Sequence, residues 1–598
     1  MRHPLRRVRP ALLGCLAAAT LAAAWPASVV AGTADAGHDP AHTEVLFVGA
    51  HPDDEYQSLS TFGQWAERRG LSTGVVTITR GEGGGNAVGP EEGAELGMLR
   101  EREEREAVAL AGIQNVYYLD KPDFWYSLSA PLTARVWDGQ TPARDTLSRL
   151  VRLIRATTPE IVVAMDPRPF NQHGGHQLSG QLAIQAFQLA GDRNAFPAQI
   201  TEEKYAPHQP SRLLAQNWGF QGPVGRACAK SPQRDPATGL PVRGWWSGAW
   251  SSRHGSTWAQ VERDAQRKYL SQGFGAVPPD VETPRGELGC DWFTVLAQHG
   301  KPVRAPVEPQ SGLRPLYAKF ARWARDVGMP WLANAAQPNY PEPPRARVPE
   351  ASVAPVVDGK ARDGEYPGGT LRLTHWEGKG CKNSADCAAE AKLSRFGDAL
   401  YALVRVRDDV RGTALSGDDC KRHWRTDSVE VGLDPGGASD DTSTVFKVGV
   451  LPFTEAGGPC AGRDADHWQG PVAQTAAGMQ VASAVTQEPY TGYTVEVKIP
   501  LRALPSTADP KRLTMNVMAY DSDTQDKTGQ TRLAWSPFGS AQADPYVWGR
   551  AELEGGDAPH VPTREPRIPT EAARSINSPA SVAQSQRTGV PLAGGPRT

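Results

Sequence analysis

Four ionisable side chains crowd five consecutive positions in His51-Pro52-Asp53-Asp54-Glu55, and a second cluster, Asn171-Gln172-His173-Gly174-Gly175-His176, sets two imidazoles three residues apart. Imidazole and carboxylate groups are ligands for a divalent transition metal. Two His with one carboxylate and an open position form the donor set of catalytic zinc. One His and one carboxylate of the first cluster with one His of the second would complete such a set, and the residue types alone leave open which carboxylate serves. The chemistry this suits is hydrolysis of a resistant bond such as an amide, which needs an activated water, a stabilised oxyanion and a proton for the leaving nitrogen. A carboxylate beside a ligand can take the water proton. An imidazole changes charge near neutrality and suits the leaving group.

Both clusters must be held by elements that bring them together. The first follows directly on the apolar run Val45-Leu46-Phe47-Val48-Gly49-Ala50, and the second follows Ile161 to Met165, with Asp166 between, and opens a helix from Gln177. Short apolar runs at 44–50, 74–79, 116–119 and 161–165 alternate with helical patterns near 57–69, 92–111 and 143–157, which predicts βαβ units around a parallel sheet. Both clusters then lie at the carboxyl ends of strands, where open α/β sheets build their sites. Residues 201–330 are rich in loops and Trp, with a helix expected around 257–270. Gly81-Glu82-Gly83-Gly84-Gly85 lacks the Lys-Ser/Thr of a phosphate loop and reads as a flexible rim to the cleft, with Arg80 and Asp123 as sugar contacts. Trp245-Trp246 reads first as core and second as a stacking face.

Pro338, Pro341, Pro343, Pro344 and Pro349 mark residues 335–352 as an extended linker. Beyond it the period changes to two: Leu400, Ala402, Val404 and Val406 share a face opposite Arg405 and Arg407, and Tyr493, Val495, Val497 and Ile499 alternate with Thr494, Glu496 and Lys498. The fold class expected is therefore an α/β, Rossmann-like parallel-sheet domain over 43–334 followed by an all-β sandwich over 353–556. Residues 557–598 read as a disordered tail. Residues 1–36 read as a secretory signal peptide, with Arg2, Arg6, Arg7 and Arg9 ahead of an uncharged Ala-rich stretch. Six further Cys suit an oxidising compartment. Cys228 with Cys290 follows if the domain boundary holds, and of three connectivities for the other four, 381 with 387 and 420 with 460 is favoured.

Ala50-His51-Pro52-Asp53-Asp54-Glu55, with Thr79-Arg80-Gly81-Glu82, Arg100, Glu103, Ala107, Gly112, Leu119-Asp120 and the His173/His176 pair, resembles the PIG-L/LmbE-like zinc-dependent de-N-acetylases over residues 43–300. The resemblance implies one Zn²⁺ held by His51, Asp54 and His176, with Asp53 as general base and His173 stabilising the tetrahedral intermediate or protonating the amine. Many members have Pro-Asp where this chain has Gly174-Gly175, which removes a carboxylate that would orient His173 and for which Asp166 could substitute. Val357-Asp358-Gly359, Asp408-Asp409, Asp427 to Glu430, Tyr493 to Pro500 and Trp548-Gly549 resemble family 9-type carbohydrate-binding modules. There Trp376, Trp424, Trp468 and Trp535 could stack on sugars and the Asp pairs could bind Ca²⁺.

The reading that follows is a secreted, metal-dependent amidohydrolase that removes the N-acetyl group from an N-acetylglucosamine-containing sugar or glycoconjugate, with polysaccharide held by the second domain. Its alternatives are a glycan-binding protein with an inactive deacetylase-like domain and an amidase acting on a larger amide. A balance of 64 Lys+Arg against 66 Asp+Glu gives a net charge of −2 and argues against a nucleic-acid partner, and no segment after the signal could span a bilayer.

Overall fold

The structure is a computed structural model that describes residues 42–555 apart from 124–127, 140–143, 170–171, 231–232, 308–314, 337–341, 438–443, 465–469, 488, 524–529 and 537–544. The signal-like segment 1–36, the tail 557–598, Asn171 and Trp468 lie outside the described residues.

Five parallel strands form the heart of the first domain: Val45–Gly49 (β1), Thr73–Thr77 (β2), Asn115–Tyr118 (β3), Ile161–Ala164 (β4) and Arg212–Gln216 (β5), in the order β3-β2-β1-β4-β5. Between them run the helices Leu59–Arg69 (α1), Gly93–Leu110 (α2), Ala130–Asp138 (α3), Asp145–Thr157 (α4) and Gly174–Leu189 (α5). Alternate residues of β1 feed opposite cores. Leu46 and Val48 pack with Leu150 and Ile154 of α4 and Ala183 of α5, while Val45 and Phe47 pack with Phe62 of α1 and Ala107 of α2. A strand covered on both faces must be apolar throughout, which is why β1 reads as an unbroken run. Strand order reverses between β1 and β4, the kind of switch point at whose carboxyl ends open α/β sheets place their binding crevices.

Past β5 the sheet continues with antiparallel strands Cys290–Gln298, Pro241–Trp246 and Gln233–Arg234, so the Trp-rich region is more ordered than its loop-like composition suggests. The disulfide Cys228–Cys290 ties this extension together as expected. Two carboxylates from it cap the first turn of α1. Asp291 accepts from the Thr61 N–H at 2.9 Å, and Glu262 accepts from the Ser60 N–H at 3.0 Å. Burial pushes Asp291 up to about 7, and burial with repulsion from Asp291 pushes Glu262 well above the usual carboxylate range. Carboxyls raised in the fold favour the folded state while protonated, so that contribution is present at acidic pH and is lost as pH rises through the folded pKa. Thermal stability should therefore fall from pH 6 to pH 8.5, by up to about 1.4 kcal/mol per pH unit for each proton involved. Asp291→Asn should flatten the slope in melts recorded across that range, and an unchanged slope would remove this pair as its cause.

The second domain is a sandwich whose two sheets share one core. One sheet runs Leu371–Leu373, Cys387–Phe396, Ala399–Asp408, Tyr493–Pro500, Gln480–Val485, and the other is built on Thr514–Ser522 and Ser428–Asp434. Leu400, Ala402, Val404, Val495, Val497 and Ile499 all point into that core, as the period of two requires. The outer face differs from expectation at Glu496, which is fully buried because residues 357–366 fold over it. Its carboxylate accepts from the N–H groups of Asp358 and Gly359 and from the Tyr366 hydroxyl. The expected linker also ends in structure: Arg345–Val348 is a strand pairing in parallel with Gly549–Leu553. The prolines allow it because they flank these four residues, while Ala346 and Val348 turn toward the core. Cys381–Cys387 and Cys420–Cys460 pair as favoured.

Candidate active site

Directly after β1 the backbone turns sharply, and Asp54 folds back over the strand end. Its Oδ2 accepts from the N–H groups of Ala50 at 2.6 Å and His51 at 2.9 Å, and its Oδ1 lies 2.9 Å from His176 Nε2. The charge of His176 and these backbone donors outweigh burial and hold the Asp54 carboxyl below the usual range. Gln216 of β5 locks the same turn from below, donating to the Asp54 carbonyl at 3.1 Å and to Ser58 Oγ at 2.8 Å. Between the two candidate ligands sits Asp53, half-buried, with φ +119°. A non-glycine residue there stores strain of roughly 1–3 kcal/mol and is found where surrounding structure fixes a functional side chain. Glu55, the fourth ionisable group, is buried away from the cleft, takes a hydrogen bond from the Tyr269 hydroxyl, and is raised well above its ordinary pKa by burial and by Glu104.

On the β4 side the helix begins three residues earlier than expected. His173 is its N-cap, and Gly174–Leu189 is helical, because two consecutive glycines that read as loop fit the first turn under crowded neighbours. His176 therefore stands in the first turn beside Asp54. The imidazoles of His51, His173 and His176 each offer a nitrogen within 4.8 Å of the others, with ring centroids 3.8 to 5.0 Å apart. A Cβ on Gly175 would lie 2.9 Å from His51 Cε1, so glycine is what lets the helix approach that ring. Burial would lower His51, yet Asp123, Asp54 and Asp53 raise it to about 9. His173 goes the other way: burial and the two neighbouring imidazoles hold it well below its ordinary value. Nitrogen donors with one carboxylate match the preferences of zinc.

Asp123 reaches this group, with Oδ1 3.4 Å from His51 Nε2, and is itself held by the rim loop through its N–H to Glu82 and the Gly83 N–H to its Oδ2. Arg80 does not join the imidazoles. It pairs with Glu101 at 2.8 Å and with Asp120, and its guanidinium lies over the Tyr118 ring. Asp166 does not stand in for the carboxylate that Gly174-Gly175 lacks, since Arg168 engages both of its oxygens. Trp245 is core, packed on Trp65 and Phe293, and Trp246 donates to the Leu288 carbonyl. Among the described residues, Trp218 is an aromatic beside these imidazoles, 41% exposed and edge-on to His176 at 6.2 Å. Nothing in its local sequence separates it from the other Trp. Sequence reasoning also gave no role to Arg100, which is buried and donates to the carbonyls of Gly81 and Gly85.

In the sandwich, Trp376 is 58% exposed, Trp424 is partly buried and Trp535 is core. Asp408, Asp427 and Asp521 converge, but Asp408 and Asp427 hydrogen-bond to each other and Tyr490 contacts both at 3.2 Å. Burial raises Asp408 to about 6 and, with repulsion from Asp408, lifts Asp427 well above the usual range. The comparisons do not support the Ca²⁺ reading of these Asp pairs.

Residues 46–187 match the family described as GlcNAc-PI de-N-acetylase, and residues 357–556 match the carbohydrate family 9 binding domain-like family. A 1D-myo-inositol 2-acetamido-2-deoxy-alpha-D-glucopyranoside deacetylase of Thermobispora bispora is 30% identical over 171 residues, 26% of this chain and 55% of the relative. The chain thus spans about half the length of that relative. One of the same description from Kineococcus radiotolerans is 26% identical over 305 residues, 45% of this chain and 76% of its own. Among solved structures, the N,N'-diacetylchitobiose deacetylase from Pyrococcus horikoshii superposes with a TM-score of 0.30 at 19% identity, over 42% of this chain and 83% of that one. A carbohydrate binding module family 9 from Caldicellulosiruptor kristjanssonii does so with 0.26 at 20%, over 36% and 99%.

Proposed function

From a GlcNAc-PI de-N-acetylase domain at 46–187 and a carbohydrate family 9 binding domain-like region at 357–556, we propose that the chain is a secreted, zinc-dependent hydrolase removing the N-acetyl group from an N-acetylglucosamine-containing sugar or glycoconjugate. The observation that carries the reading is the convergence of His51, His173, His176 and Asp54 where the order of the sheet reverses. His51, Asp54 and His176 would hold one zinc ion, which when bound lowers the pKa of water to about 7 and polarises a carbonyl. Asp53, fixed between the two ligands, accepts the proton of the attacking water and passes it to the leaving nitrogen. His173 is neutral and presents an N–H to the acyl oxygen as charge develops there. Asp123 keeps the His51 ring in place, and Arg80 steadies the rim through Asp120.

Export is supported by the signal-like first 36 residues together with three disulfides. No helix among the described residues is long and apolar enough to cross a membrane. The second domain holds the enzyme on polysaccharide, and Trp376, on strand His375–Gly378, is an exposed aromatic suited to that contact.

The zinc-loaded full chain incubated with N-acetylglucosamine, its oligomers and its conjugates should release acetate and free amine in equal amounts. Release no greater than that of Asp53→Asn across all of them would refute the reading and leave glycan binding as the activity. Trp218 is expected to stack on the sugar. Trp218→Ala should raise KM about tenfold, the equivalent of ~1.4 kcal/mol, with little change in kcat. Steady-state kinetics with unaltered KM would take Trp218 out of the sugar path.

A further inference from the structure

We infer that the second domain helps build the active site: its segment Cys420–Arg425 buttresses the glycine-rich rim loop that holds Asp123 against His51, so Arg422 and Lys421 are positioning residues for catalysis. The loop 81–92 begins with four glycines among five residues, and glycine loses more conformational freedom on ordering than any other residue. Such a loop needs external anchors. Arg100 supplies one from α2, through the carbonyls of Gly81 and Gly85.

The other anchor comes from the sandwich. Arg422 Nη1 donates to the carbonyls of Asn86 at 2.9 Å and Gly89 at 3.0 Å, Arg425 donates to Asn86 at 3.3 Å, and Lys421 Nζ lies 2.8 Å from Glu92. The fit is close: a Cβ on Gly85 would stand 3.3 Å from Arg422 Cγ and 3.4 Å from Trp424 Cζ2. The buttress is stiff at its base. Cys420 is bound to Cys460, Asp419 grips the Arg422 guanidinium, and Ser428 Oγ donates to the His423 carbonyl at 2.8 Å. On its far side the same loop binds Asp123 through Glu82 and Gly83, and Asp123 touches His51. The contacts thus run unbroken from a sandwich arginine to a metal-site imidazole. A domain serving only to hold polysaccharide would need none of them, and a small soluble substrate would not feel its alteration.

The catalytic part of this inference rests on the deacetylase reading, whereas the loop part does not. In the full chain, Arg422→Ala should speed hydrogen exchange at amides 83–89 at least tenfold, with strand Thr514–Ser522 unaffected. On a small soluble N-acetylated sugar it should lower kcat about tenfold, as loss of a group orienting a ligand does, and Arg422→Lys should recover part of both. Lys421→Glu should loosen the same amides, and adding Glu92→Lys should restore them, which keeps the test open should Arg422→Ala fail to fold. Wild-type exchange at 83–89 together with wild-type kcat in Arg422→Ala, or a charge-swapped pair no better than Lys421→Glu alone, would overturn the inference. If the wild-type chain deacetylates nothing, the proposed function fails while the exchange data still decide whether the buttress exists.

Discussion

Asp53→Asn should keep its zinc and lose about 10² to 10⁴ in kcat, the loss typical of a missing general base, equal to roughly 3 to 5 kcal/mol in barrier. The amide preserves size but cannot accept the water proton. Asp54→Asn should behave oppositely. Its carboxylate takes two backbone N–H bonds and faces His176 at 2.9 Å, so the substitution puts a donor where acceptors are required, and bound metal should fall with activity. Metal analysis beside kinetics on both variants separates the roles. Zinc lost from Asp53→Asn and kept in Asp54→Asn would exchange ligand and base, and full activity in Asp53→Asn would remove the mechanism altogether.

Gly175→Ala should lower zinc affinity ten- to a hundredfold, with activity following it, while the thermal transition stays put or rises. The added methyl would stand 2.9 and 3.0 Å from His51 Cε1 and Nε2 and 3.3 Å from His173 Nδ1. The His51 ring is boxed in by Asp54 and Asp123, so it can yield only by leaving its position. Alanine is otherwise the better residue in the first turn of α5 by about 1 kcal/mol. Stability and metal binding should thus part company. Gly175→Asp should fail for the same steric reason. Calorimetric zinc titration of Gly175→Ala matching wild type would show that the ring has room to move.

The chemistry was legible where it was local. His51, Asp53 and Asp54 follow a strand whose burial on both faces writes itself as an apolar run, so their position at a sheet edge could be read directly. That His173 and His176 reach the same crevice followed from the alternation of strands and helices. What escaped depended on contacts between distant residues. Asp291 and Glu262 cap a helix some 200 residues earlier in the chain, Gln216 locks the Asp54 turn from β5, and Arg100 matters for the carbonyls it meets. Arg80 and Asp123 looked alike in sequence, yet only Asp123 faces His51, because Glu101 and Asp120 draw Arg80 aside. The early start of α5 was hidden by Gly174-Gly175, whose composition signals a loop while the crowded site demands small residues in a helix.

Strand Arg345–Val348 gives the sandwich a seam between its two chain ends. It lies in parallel register on Gly549–Leu553, from Arg345 against Arg550 to Val348 against Leu553, with Glu554 N–H donating to the Val348 carbonyl at 2.9 Å. A fragment cut at residue 353, where composition alone would cut it, discards that strand and bares the backbone of Gly549–Leu553 along a line of apolar Ala551 and Leu553. An uncovered edge of this kind recruits strands from other molecules. Clumping of such a fragment would report a misplaced cut, and a usable fragment of the second domain begins at or before Pro344.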